Sequence, residues 1–364
     1  MTKLVFHLGD IKSGSTAIQS ALASGGWSCP SVALVYPTSG QLSHILLARS
    51  LYGRIDGSRT ELLFRDIREK IDASSADVAV ISAEDFEFVD PDVLMEVMKT
   101  FLPDMLADAR FLSYVRPHTD RIPSTFAEHV KIGVFGGTLT ELQKRMHNNN
   151  RFYYTPRFLA WRRVFGDAFT LRPMIRDHLY RKDVVADFLR FALQTEDFEI
   201  LASPDSNESL TVENLAILRF FQQSLLKAGI KNDTFRATFG RSLARRMNAD
   251  DRQDGTKMRI HRSLAETVRA QYSADAATLD AAFFQDTPMS DALKNACEKA
   301  VDEEQSLQHS DYFNQREQYL IELFVGEIAT LIGADPRGLA NMLRLEHRNK
   351  VLMSQSLASS VEEE

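Results

Sequence analysis

From Gly9 to Thr16 the chain reads Gly-Asp-Ile-Lys-Ser-Gly-Ser-Thr, just after the short apolar run Leu4-Val5-Phe6. Residues of these types at this spacing can hold an anion. The first N–H groups of a helix have no helical acceptor and carry the positive end of the helix dipole, and glycines let the backbone wrap a phosphate or sulfate closely. An ATP-binding loop, G-x-x-x-x-G-K-[ST], would need lysine after the second glycine; this chain has Ser15 there, and its lysine is Lys12, two residues before Gly14. An ordinary strand-to-helix turn capped by Ser13 or Ser15 fits the same residues. Two further groupings suit the same chemistry. Arg116, with Ser124 eight residues on, offers a planar fork and a hydroxyl that can converge on one anion, although an Arg in a surface ion pair reads the same way. His44 and Glu84 are the candidate proton acceptors. His44 is preferred because an unshifted imidazole titrates near neutrality, whereas Glu84 would need burial to raise it; a histidine near a helix start also has many ordinary uses.

These residues need a scaffold. Five short apolar runs, Leu4–Leu8, Val32–Tyr36, Val78–Ile81, Phe111–Val115 and Phe169–Leu171, alternate with helical patterns. That rhythm predicts an α/β fold, a parallel sheet buried on both faces and flanked by helices. Ligands of such sheets sit at the carboxyl ends of the strands, and the loops there carry the residues just named. Behind the first loop a helix should pack Ile18 and Leu22, with Gln19 and Ser20 off that face. His44 precedes a predicted helix at Ile45–Leu51, and Ser82-Ala83-Glu84-Asp85 and Arg116-Pro117 follow the third and fourth runs.

The pattern K-[ST]-G-[ST]-[ST] after a first strand resembles the 5′-phosphosulfate loop of the PAPS-dependent sulfotransferase family, whose donor is 3′-phosphoadenosine 5′-phosphosulfate (PAPS). Bacterial members are similar at Ser82-x-Glu84, at Trp161 with Phe165-Gly166, at Arg172-Pro173, at Asp187-Phe188-Leu189 and at Asn207-Glu208-Ser209-Leu210. The family's Val-Arg-x-Pro with a Ser eight after the Arg is met by Val115, Arg116 and Ser124, but Pro117 directly follows the Arg. The family's late basic element before a glycine has no clean counterpart. Trp161 and Phe165 read as core. The resemblance implies a P-loop-like fold of sulfotransferase type and transfer of a sulfuryl group to a hydroxyl or amine acceptor, a carbohydrate or another small molecule. Lys12 would stabilise the leaving oxygen. The loop Ser13, Gly14, Ser15 and Thr16 would hold the 5′-phosphosulfate through N–H groups and the Ser15 and Thr16 hydroxyls, Arg116 and Ser124 would hold the 3′-phosphate, and no metal is expected. Two alternatives stand beside it: a nucleotide kinase or NTPase with a degenerate loop, and a non-catalytic binding protein that keeps the fold.

The net charge of −7 argues against non-specific nucleic-acid binding, yet Arg110 to Lys182 holds 14 Lys/Arg against 5 Asp/Glu, a local field suited to a small anion. Cys29 and Cys297 are too few for a disulfide framework. Neither a signal peptide nor a membrane span is visible, and the expectation is a cytoplasmic protein. Residues 1–300 read as the α/β domain and 301–364 as a helical C-terminal extension. Within the first, Gly240 to Lys257, with Arg241, Arg245, Arg246 and Arg252, reads as an exposed loop rather than a lid. In the second, Leu320, Leu323, Phe324 and Ile328 recur at helical spacing, Asp335-Pro336 restarts a helix, and Glu362–Glu364 forms a frayed tail. These helices could cover the core or join a homodimer.

Overall fold

The computed structural model describes residues 2–201, 210–248, 255–335, 337–339 and 341–343. Asn207-Glu208-Ser209, Arg252, Pro336 and the Glu362–Glu364 tail lie outside them. In chain order the elements are β1 (Lys3–His7), α1 (Ser15–Ser24), β2 (Trp27–Ser28), β3 (Leu34–Val35), α2 (Ile45–Leu51), α3 (Arg59–Asp72), β4 (Val78–Ser82), α4 (Pro91–Phe101), β5 (Arg110–Val115), α5 (His118–Lys131) and α6 (Leu139–Asn148). They continue with α7 (Thr155–Phe165), β6 (Phe169–Pro173), α8 (Val184–Leu193), β7 (Glu199–Ile200), α9 (Val212–Lys227), α10 (Asp233–Asn248), α11 (Arg262–Phe283), α12 (Pro288–Lys299) and α13 (Gln315–Ala334).

Two compact units share the chain. Unit 1 comprises Met1–Arg121, Arg151–Ser206 and Arg269–Asn295, and unit 2 comprises Ile122–Asn150, Asn207–Val268 and Ala296–Glu364. A division at residue 300 would keep 122–150 and 207–268 with the sheet; in the structure those stretches group with the C-terminal segment.

Each of the five apolar runs contributes a strand to one five-stranded parallel sheet of unit 1, in the order β3-β4-β1-β5-β6. The second run yields only Leu34–Val35, and the others match to within two residues. Continuous apolar runs suit such strands because both faces are covered. On one face Val5, Val80, Leu112 and Tyr114 pack against Ile18 and Leu22 of α1 and Phe188 and Leu189 of α8. On the other, Phe6 stacks on Phe111 at 5.2 Å between ring centroids, and Phe111 meets Phe165 of α7 at 3.9 Å. Trp161 and Phe165 are core residues, as expected. A separate antiparallel pair joins β2 to β7.

Helix starts follow local chemistry. Asp90, Asp183 and Thr211 accept N–H bonds at the starts of α4, α8 and α9, and Thr138 and Asn314 form capping boxes with Glu141 and Glu317 on α6 and α13. In unit 1 Asp275 caps α7 by accepting from Tyr154 N at 2.9 Å and Thr155 N at 3.2 Å.

The exposed loop expected at Gly240 to Lys257 is corrected over residues 240–248, which form the second half of α10. Gly240 lies inside this helix, where its missing side chain serves a close approach: a Cβ there would lie 1.9 Å from the Lys131 carbonyl oxygen of α5. Among the described residues no helix is long and apolar enough to cross a membrane.

Candidate functional site

The sheet order marks where a ligand can enter unit 1. The chain leaves the carboxyl end of β1 toward β3 and leaves β5 toward the opposite side, β6. Connections that diverge from neighbouring strands open a crevice between them, and the loops bordering it are Leu8–Gly14 and Arg116–Pro117.

The first loop is anchored to β5. Leu8 N donates to Leu112 O at 2.8 Å, Tyr114 N to Gly9 O at 2.8 Å and Asp10 N to Tyr114 O at 3.2 Å. The Ser113 hydroxyl adds a bond to Gly9 O at 3.2 Å. Gly9 lies at φ 91° and passes so near the next strand's loop that a Cβ would sit 3.0 Å from the Glu84 backbone. Gly14 begins α1 at φ 83° with no side-chain cap, and a Cβ on it would come 2.9 Å from Met174 Cε. Left-handed backbone favours glycine at both points, and at Gly9 the rigid Glu84 backbone adds a steric reason. Helical bonding starts only at Ala17, whose N–H reaches Gly14 O at 3.1 Å, so the N–H groups of Ser15 and Thr16 precede the ladder.

The hydroxyls divide the work differently from expectation. Ser15 Oγ donates to Asp10 O at 3.1 Å and so closes the loop on itself. Thr16 is exposed. Ser13 is fully buried, and its Oγ has no hydrogen-bond partner among the described residues. An orphaned buried hydroxyl costs about 1–3 kcal/mol, and a ligand oxygen would relieve it.

Behind the loop lies a charge cluster that sequence reading missed. Asp10 accepts from Arg121 at 2.8 Å and Arg157 at 2.6 Å. Glu87 accepts from Arg121 at 2.6 Å, pairs with Arg157 at 2.9 Å and Arg151 at 3.3 Å, and its other oxygen takes Ile11 N–H at 3.2 Å. The Arg121 side chain is 1% exposed. Burial opposes charge on both carboxyls. Arg121, Arg157 and Arg151 outweigh it at Glu87 and hold that group at about 2, while burial and the neighbouring Glu87 push Asp10 up. Three guanidiniums face two carboxylates, so one positive charge is left over. Burial, with Arg121 and Arg157 nearby, pulls the Arg151 pKa down against the pull of Glu87.

Arg116 Nη1 donates to Lys12 O at 3.1 Å, tying the two loops together, and burial lowers its pKa. Lys12 itself is half-buried at φ 66°. Glu84 is half-buried at the start of the 3₁₀ turn Glu84–Phe88 that follows β4. Ser124 is half-buried in the second turn of α5, within the stretch belonging to unit 2.

His44 stands where the sequence put it, immediately before α2. Both ring nitrogens are engaged with backbone: Nε2 donates to Pro37 O at 3.2 Å, and Nδ1 accepts from Ser82 N at 3.1 Å. Burial lowers its pKa to about 4. It clips the end of β4 to α2, and its lone pair is already spent. Gln19 is buried, donating to Ser82 Oγ at 3.1 Å, and His7 Nδ1 meets the same oxygen at 2.8 Å.

No family model, curated protein or solved structure matches this chain. Among the described residues no group of three or more His, Cys, Asp or Glu is arranged to hold a metal ion.

Proposed function

We propose that unit 1 is a sulfotransferase of the P-loop-like type, moving a sulfuryl group from PAPS to a hydroxyl or amine acceptor such as a carbohydrate. The observation that carries this reading is the buried, unpartnered Ser13 Oγ inside an uncapped, glycine-bounded helix start, with Arg116 Nη1 on Lys12 O. These features fit a sulfated phosphate: N–H groups and a hydroxyl to receive oxygens, and a backbone that admits them closely. The lysine at Lys12 rather than at position 15 favours a phosphosulfate over a nucleoside triphosphate.

PAPS would supply the sulfuryl group and its leaving 5′-phosphate. The chain's part is positioning and neutralisation. Ser13 Oγ and the N–H groups of Ser15 and Thr16 hold oxygens of the 5′ group, Lys12 offsets charge growing on the leaving oxygen, and Arg116 receives the 3′-phosphate. Glu84 takes the acceptor's proton, because His44 would have to break a backbone bond to do so. In the balanced step the acceptor oxygen or nitrogen bonds to sulfur, the sulfur–oxygen bond to the 5′-phosphate breaks, and the proton goes to Glu84.

The test is thermal shift with 3′-phosphoadenosine 5′-phosphate (PAP) against Mg-ATP, since a ligand that binds only the native state stabilises it by mass action. PAP should raise Tm by several degrees more. Equal or greater stabilisation by Mg-ATP would replace this reading by a kinase or NTPase, and PAP binding with no PAPS turnover on any acceptor class would replace it by a binding protein.

A further inference from the structure

Helix α13 is amphipathic in an unexpected sense. Its buried residues are Val325, Ala329 and Ile332, while Tyr319, Leu320, Leu323, Phe324 and Leu331 are 63, 40, 44, 61 and 71% exposed. At 3.6 residues per turn, positions 316, 320, 323, 324, 327 and 331 fall within about 100° of arc, opposite the buried three. The apolar stripe thus contains two charges, Arg316 and Glu327. Both are exposed and neither makes an ion pair with another described residue. A stripe of this size on a helix surface marks an interaction site.

We propose that α13 pairs with α13 of a second copy of this chain, antiparallel, about a two-fold axis passing between residues 321 and 322. That register pairs positions summing to 643. Leu320 then packs beside Leu323 of the partner subunit and Arg316 meets the partner's Glu327, each contact occurring twice. The two ion pairs stand about 8 Å either side of the axis, at the ends of the apolar contact. This register explains why opposite charges occupy the stripe at these two positions. A parallel pair would instead set Arg316 against Arg316 and Glu327 against Glu327. The inference is independent of the sulfuryl-transfer reading. A contact of one helix per protomer belongs to the smaller interface class, so the dimer should dissociate on dilution.

Sedimentation velocity of the full chain over a dilution series tests it, comparing wild type with Arg316→Glu, Glu327→Arg and the double variant. Wild type should show a concentration-dependent dimer, each single variant should weaken it at least about tenfold, and the double variant should restore it. Both single changes favour the isolated helix, a carboxylate in its first turn and a cation toward its end, so a lost dimer would not reflect a lost helix. Circular dichroism checks that point. A monomeric wild type at the highest concentration reached would overturn the proposal. Single variants that leave the dimer intact would overturn it too, as would a double variant no better than the singles.

Discussion

Lowering the pH from 7 to 5 should destabilise unit 1 sharply, because the carboxyl edge of the sheet is built on neutral imidazoles. His7, His44 and His118 are buried, and desolvation lowers them to about 3, about 4 and about 3. Each is also held by hydrogen bonds, and His44 Nδ1 accepts from Ser82 N, which only the neutral ring can do. His7 bonds Ser82 Oγ, His44 holds Pro37 O and Ser82 N, and His118 bonds Phe152 O at 2.9 Å between the rings of Tyr154 and Tyr272. A folded-state pKa below the unfolded value of 6.5 means stability that is whole above 6.5 and is lost as pH falls toward the folded value. At pH 5 each imidazole forfeits about 2 kcal/mol, 1.5 units at 1.36 kcal/mol each. The three together give a slope approaching about 4 kcal/mol per pH unit, large beside a typical stability of 5–15 kcal/mol. Asp10, pushed up by burial, gives back part of this by binding a proton in the folded state. Urea unfolding followed by tryptophan fluorescence reads the right unit, since the chain's two tryptophans, Trp27 and Trp161, both lie in unit 1. His118→Gln should reduce the slope to about 2.7 kcal/mol per pH unit. Stability that is flat from pH 7 to 5, or a slope that His118→Gln leaves unchanged, would refute the reasoning.

Glu87→Gln should cost about 3–5 kcal/mol at pH 7 by the same fluorescence assay, because it strands Arg121 and Arg157 with one carboxylate in a buried site. Gly14→Ala should cost about 1–2 kcal/mol, from the left-handed backbone at φ 83°, and should abolish PAP stabilisation in a thermal scan. Arg116→Ala should weaken PAP by about 2–3 kcal/mol in calorimetry while barely changing adenosine 5′-phosphosulfate, which lacks the 3′-phosphate. Equal losses for both ligands would remove Arg116 from the 3′-phosphate contact.

The sheet was legible because burial on both faces leaves a mark in each strand separately, and the Gly9 and Gly14 spacing marked the loop because left-handed turns restrict residue type. Pairings made across the chain left no such mark. Asp10, Glu87, Arg121 and Arg157 meet from positions 34 to 147 residues apart, and each alone looks like a surface charge. His44 had the residue type of a base, yet partners 7 and 38 residues away decide that its nitrogens are structural. The polar residues from Gly240 onward read as a loop, whereas residues 240–248 continue a helix whose Gly240 packs against a neighbouring helix that sequence spacing does not reveal. The division into two units escaped notice because each is assembled from separated stretches.

A crystal structure of the chain with PAP tests the central claim most directly. The account expects the 5′-phosphate within hydrogen-bond distance of Ser13 Oγ and the Ser15 and Thr16 N–H groups, and the 3′-phosphate on Arg116. A 5′-phosphate bound elsewhere, with Ser13 Oγ still unpartnered, would contradict it.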